Sequence, residues 1–206
     1  FDLACDHVNA LDHPGQTEVR AGLARVSGPP RLPAPTANPV VDQWLGPALG
    51  AVDRSCAPLA RAIAAAAPHL GWVTYDGYPS DRIGADFATG HAYALILGKD
   101  APFAATDFDM GLFLIAPHTL YRDHHHAAPE LYAPLTGPHG WRFGPGRPLL
   151  LKPAHAPVWN PAFQPHLTKV GAVPFLCLFV WTRDVAELAK VLPATDWPDL
   201  EAQRLG

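Results

Sequence analysis

After Gly71 the chain breaks into short apolar runs, Trp72–Tyr75, His91–Leu97, Leu112–Ala116, Glu130–Leu135, Pro148–Lys152 and Pro174–Trp181, separated by Gly, Pro and Asp. Runs this short at such regular spacing read as strands, and a series of strands closes into a sandwich or barrel to bury its apolar faces and hide its edges. Residues 71–206 are therefore expected to be mainly β, and the first seventy differ. Thr17–Val26 reads as a short helix. Residues 27–39 are so rich in proline that neither a helix nor a central strand can persist through them, which leaves a linker or an extended wrap. Val40–Leu49 and Val52–Ala67 read as two further helices, the second with Leu59, Ile63 and Ala66 on one face and ended by Pro68. Residues 1–70 thus form a helical extension, and a closing helix is expected over Asp184–Leu192.

The composition excludes several classes of function. With 206 residues, 49% of them hydrophobic, the chain is ample for one globular core. A net charge of -4 with scattered Lys and Arg gives no basic stripe for a phosphate backbone, so nucleic acid is not an expected partner. No run has the length of a membrane-spanning helix, and Phe1–Asp6 has neither the basic nor the apolar region of a signal peptide. The missing initiator Met reads as a trimmed chain, so a removed targeting segment stays open. Three distant cysteines, Cys5, Cys56 and Cys177, make no CxxC pair and fit a reducing compartment, hence a cytoplasmic location. Cys177, inside an apolar strand, is expected to be buried rather than nucleophilic.

The segment Tyr121-Arg-Asp-His-His-His-Ala-Ala-Pro-Glu-Leu-Tyr132 carries most of the chemistry. On an extended strand His124 and His126 share a face while His125 points away. Pro129 marks a change of direction that can return Glu130 toward the two imidazoles. Two neutral nitrogens and a carboxylate oxygen are the donor set of a divalent first-row metal. A histidine run can also be a tag or a solvated loop, but this one is internal and bounded by Gly111–Ala116 and Leu131–Tyr132. For a fourth ligand His166 suits the strand that would return beside the first, with His155, next to a turn-like Ala-Pro, as competitor. His139, in Gly137-Pro-His-Gly140, reads as an exposed hairpin tip.

The pattern His124-x-His126-xxx-Glu130, a glycine-bearing turn and then His166 resembles the two metal-binding motifs of the cupin superfamily. The stretch Val158–His166 departs from it, lacking the usual glycine before its proline and asparagine after its histidine. Within cupins, Tyr121, Tyr132 and Trp181 resemble the dimethylsulfoniopropionate (DMSP) lyase family, and the phrase 109–132 is most similar to its DddL branch. The resemblance implies a cupin double-stranded β-helix (jelly-roll) barrel with an N-terminal α-helical extension. It also implies one divalent transition metal (Zn, Fe, Mn, Co or Ni) on His124, His126, Glu130 and His166.

The implied reaction is β-elimination of DMSP to dimethyl sulfide and acrylate. It needs a base for the α proton, and two tyrosines are placed for that. Tyr132 shares the strand face of Glu130, and Tyr121 is a second candidate, as base or as donor to the substrate carboxylate. The resemblance favours Tyr132; the residues alone do not choose. A sulfonium has no hydrogen-bond donors, so aromatic faces suit it, with Trp181 first and Trp159, Tyr75, Trp72 and Phe113 behind. Lys169 and Arg122 could hold the carboxylate, although solvated surface is the plainer reading for both. The same ligand set also serves sugar isomerases and non-haem iron dioxygenases, and a small-ligand binder with a vestigial metal is a further alternative. The proline-rich arm and helices offer a surface for a homodimer contact.

Overall fold

A computed structural model describes residues 1–205. Four helices come first: α1 (Asp2–Ala10), α2 (Gln16–Leu23), α3 (Pro39–Gly50) and α4 (Ala57–Ala66). Helix α3 starts where Asn38 caps it, its side chain accepting from the Val40 N–H at 3.0 Å, with Pro39 at the first helical position where no N–H is required. Helix α4 begins later than Val52 because Asp53 caps a single 3-10 turn ahead of it. Between α2 and α3 the proline-rich segment is extended and mostly exposed, touching the body through the isolated bridges Ser27–Ala104 and Thr36–Gly71.

Two short helices, α5 (Ser80–Ile83) and α6 (Ala85–Thr89), lead into the strands β1 (His91–Gly98), β2 (Phe103–Ala104), β3 (Asp109–Ile115), β4 (Leu120–His125), β5 (Glu130–Pro134), β6 (His139–Arg142), β7 (Leu150–Lys152), β8 (Val158–Asn160), β9 (His166–Val170), β10 (Phe175–Trp181) and β11 (Lys190–Val191), and α7 (Trp197–Ala202) follows. They form a six-stranded sheet in the order β2-β1-β3-β10-β5-β8 and a five-stranded sheet in the order β11-β4-β9-β6-β7. Phe113, Tyr132, Phe175 and Cys177 of the first sheet pack against Tyr121, Trp141 and Val170 of the second, which makes the interior of a two-sheet β-barrel. On the opposite face of the first sheet, Leu112, Leu114, Leu131, Leu176, Leu178 and Val180 pack against Ala4, Val8, Val19, Leu45, Leu59 and Ile63 of the helices. A sheet buried on both faces has no polar alternation, which is why Gly111–Ala116 reads as a continuous apolar run.

Four expectations need correction. Asp184–Leu192 is not helical: Ala186, Glu187 and Leu188 are exposed, and the chain instead pairs β11 with His124 and His125 on the free edge of β4. The segment has no apolar stripe to bury as a helix, whereas an open strand edge has backbone groups to satisfy. The last helix is α7. Trp72–Tyr75 contributes only the bridge Val73–Tyr93. His139 is fully buried on β6, accepting from the Trp141 indole at 2.6 Å, because the strand following the Gly-Pro turn starts at that residue. Lys169 is also fully buried, its ammonium donating to the carbonyls of His118 (2.6 Å) and Glu201 (3.0 Å).

Candidate metal centre

Strand β4 carries a bulge at the decisive point. It pairs with β9 through Tyr121–Thr168 and then His124–His166, so three steps on β4 oppose two on β9. The extra residue reverses the alternation, and Tyr121 and His124, which a regular strand would send to opposite faces, stack with ring centroids 3.8 Å apart. His166 stands across from His124, at 4.0 Å between rings, and His126 completes the group. Ligand atoms of these three buried histidines all lie within 4.8 Å of one another, the one such group of three among the described residues. His155 lies elsewhere, beside Cys56 and His7.

Each imidazole is oriented by the backbone. The Nδ1 atoms of His124, His126 and His166 meet the carbonyl oxygens of Arg122 (2.8 Å), Ala128 (2.7 Å) and Gln164 (2.9 Å). A carbonyl only accepts, so each Nδ1 carries a proton and each ring turns its other nitrogen, Nε2, inward. The Nε2 atoms of His124 and His166 are buried with no hydrogen-bond partner. Glu130 joins them: its Oε2 lies 3.0 Å from His126 Nε2 and 3.4 Å from His166 Nε2. Converging Nε2 atoms beside a buried carboxylate are the donor set of a cation, and backbone-anchored histidines are the usual support of a metal site. Burial, then the neighbouring His166 and His126, holds His124 well below the usual imidazole range and so neutral. For Glu130 burial pushes upward, but the His126 and His166 imidazoles outweigh it and keep the carboxyl ionised.

A cavity of about 220 Å³ opens onto this centre, with His126 and Glu130 on its wall and Tyr75, Tyr78, Phe113, Tyr121, Tyr132 and Trp181 around them. Its size suits a small organic acid rather than a drug-sized molecule. Trp181 lies over His126 at 4.5 Å between rings, and its indole donates to Glu130 Oε1 at 2.8 Å. Tyr78 went unremarked in the sequence, yet its hydroxyl is 2.7 Å from that of Tyr121. The only trace of it was a second aromatic three residues after Tyr75, across a glycine turn. His91 was missed as well: it stacks on Phe87 (4.1 Å), which stacks on Tyr121 (3.9 Å), so aromatic rings run from β1 to His124.

Trp159 is not part of this cavity. It pairs in register with Leu131, whose side chain faces the helices, and it packs beside His13 and Gly15. Trp72 likewise belongs to the helical side, donating to the Ala67 carbonyl. Arg122 points away too: it pairs with Glu201 at 2.7 Å and lies over the Trp197 ring.

Comparison with known proteins agrees with this geometry. The family profile described as "Dimethlysulfonioproprionate lyase" matches residues 18–177. The chain belongs to the DMSP lyase family. A curated relative, dimethylsulfoniopropionate lyase DddQ of Ruegeria pomeroyi, is 32% identical over 130 residues, 63% of this chain. That match spans only 62% of the relative's length. A structure reported for the DMSP lyases RdDddP and RnDddQII aligns with a TM-score of 0.72 at 25% identity, covering 93% of this chain and 95% of that one. The structure of DddQ from Ruegeria pomeroyi DSS-3 aligns at 0.71 and 23% identity, covering 93% and 97%, and supports the fold. The curated relative carries the DddQ name, and these matches support the family without specifying the DddL branch. No helix among the described residues is long and apolar enough to cross a membrane.

Proposed function

We propose that this protein is a metal-dependent lyase that cleaves DMSP to dimethyl sulfide and acrylate. The observation that carries the reading is the convergence of three backbone-anchored imidazoles and Glu130 beside two tyrosines on one aromatic cavity. In the elimination the Cα–H bond breaks and its electron pair becomes the new C=C bond. The Cβ–S pair leaves with sulfur as neutral dimethyl sulfide, and the proton passes to a base. His124, His126, Glu130 and His166 are the ligands we assign to a divalent transition metal, which when bound would supply Lewis acidity toward the substrate carboxylate and so acidify the α C–H.

Tyr132 is the base in this scheme. It follows Glu130 by two residues on the same strand and lines the cavity. Burial, and next the Glu130 charge, pushes its phenol well above the ordinary tyrosine range, so proton removal needs positive charge close by. Tyr121, held by the Tyr78 hydroxyl and by its stack on His124, is assigned as donor to the substrate carboxylate. Trp181 and Tyr75 offer aromatic faces to the sulfonium. Three free cysteines fit a reducing compartment, and we assign the cytoplasm.

Headspace detection of dimethyl sulfide after adding DMSP, beside a metal-stripped control, tests the reading. Release that depends on metal supports it. Oxygen uptake without dimethyl sulfide would move the protein to the dioxygenases. Tyr132→Phe is expected to keep its metal and lose about 10²–10⁴-fold in kcat; full activity in that variant would remove Tyr132 from the role of base.

A further inference from the structure

The six-stranded sheet holds one more charged group on the cavity, and nothing in the elimination as described uses it. Asp109 begins β3 and lines the same cavity as His126, Glu130 and Trp181. Among the described residues no Lys or Arg pairs with it and no donor hydrogen-bonds its carboxylate. The register fixes where it stands. Trp181 of β10 is opposite Asp109 on one side and opposite Glu130 on the other. Residues directly opposite in a ladder share a face, so Asp109, Trp181 and Glu130 form one inward row. Two strand spacings put the Asp109 and Glu130 backbones about 10 Å apart, with the indole between them. Gly98 on the neighbouring strand makes room: a methyl group there would collide with Asp109 Oδ1.

We infer that Asp109 is the cation pole of the cavity, a specificity-determining carboxylate that takes the positively charged onium end of a zwitterionic acid whose carboxylate lies toward the histidine centre. A carboxylate facing an aromatic pocket without a counter-ion is costly unless a bound cation supplies one. Consistent with that cost, burial, reinforced by Asp107 and Asp100, raises the Asp109 carboxyl to about 6. Glu187 also borders the cavity, but on an exposed segment where water screens it. The choice of an onium acid as substrate rests on the lyase reading; the carboxylate's share of the charge preference rests on the placement of Asp109.

Two isosteric ligands separate these claims. The betaine of β-alanine carries a trimethylammonium in place of the sulfonium, and 4,4-dimethylpentanoate replaces it by a neutral tert-butyl group of the same shape. Calorimetric titration of the zinc-loaded protein is expected to show the betaine binding on the order of tenfold more tightly. Asp109→Asn is expected to shrink that preference by about threefold or more, the aromatic faces of Trp181 and Tyr75 keeping the remainder, while leaving the neutral acid unchanged. Asp109→Ser, smaller and also uncharged, gives an independent reading if the asparagine does not fold, and Glu187→Gln should retain the preference. Equal binding of the two ligands by the wild type, or a preference undiminished in both Asp109 variants, overturns the inference. Failure of the wild type to release dimethyl sulfide from DMSP sinks the lyase reading instead and leaves the ligand comparison standing.

Discussion

The Trp181 indole does two jobs that a single substitution can separate, because its ring faces the cavity while its N–H holds Glu130 Oε1 at 2.8 Å. Trp181→Phe keeps an aromatic face over His126 and removes the donor. Glu130 is buried and ionised, so the lost bond is one to a charged acceptor, worth about 1.5–3 kcal/mol. If the freed carboxylate is no longer held toward the His126 and His166 Nε2 atoms, that loss passes to metal affinity as roughly a 10- to 100-fold weakening. The assay is zinc competition against a chromophoric chelator at fixed pH, for wild type and variant, with circular dichroism to check the fold. Because no substrate is present, any role of the ring in holding a sulfonium does not enter. Affinities equal within twofold would refute the claim that the indole orients Glu130 for the metal.

Two further substitutions test the packing and the buried histidines. Leu178 is fully buried between the helices and the six-stranded sheet, so Leu178→Ala should cost about 2–5 kcal/mol in a denaturant titration. A loss below 1 kcal/mol would mean that the helices do not pack there as described. Burial lowers His91 from its ordinary 6.5 to about 4, so its contribution to stability is full above pH 6.5 and is lost as the pH falls toward 4. Across that window the unfolded chain takes up a proton that the folded one refuses. His91→Gln should therefore flatten the fall of unfolding free energy with acidity by up to about 1.4 kcal/mol per pH unit. His139, lowered to about 4 by burial, and Asp109, raised to about 6 and so acting in the opposite sense, remain in both proteins. Identical slopes for wild type and variant would show that His91 takes up its proton as readily folded as unfolded.

Much of the fold was legible because it depends on local chemistry. Short apolar runs between turn residues gave the barrel strands β1, β3, β5, β7 and β10, and the run Val40–Leu49 gave α3. The segment 184–192 was misread because helical composition says nothing about a free strand edge elsewhere in the molecule, and here β4 offered one. Lys169 and His139 were misread toward solvent for a related reason. A charged or turn-flanked residue is normally exposed, and only distant partners, the carbonyls of His118 and Glu201 and the Trp141 indole, make burial tolerable.

By itself the sequence determined the donor chemistry: two histidines separated by one residue, a glutamate returned by a proline and tyrosines beside them, set by residue identity and short-range alternation. Only the tertiary structure decided which of those groups meet. The β4 bulge brought Tyr121 onto His124 against the strand period, and the pairing of β4 with β9 set His166, not His155, across from it. The register of β5 with β8 placed Trp159 on the side facing the helices, and that of β10 put Asp109 and Glu130 on either side of Trp181. Register is the property of a pair of strands, fixed by how both bury their faces, so neither strand carries it alone.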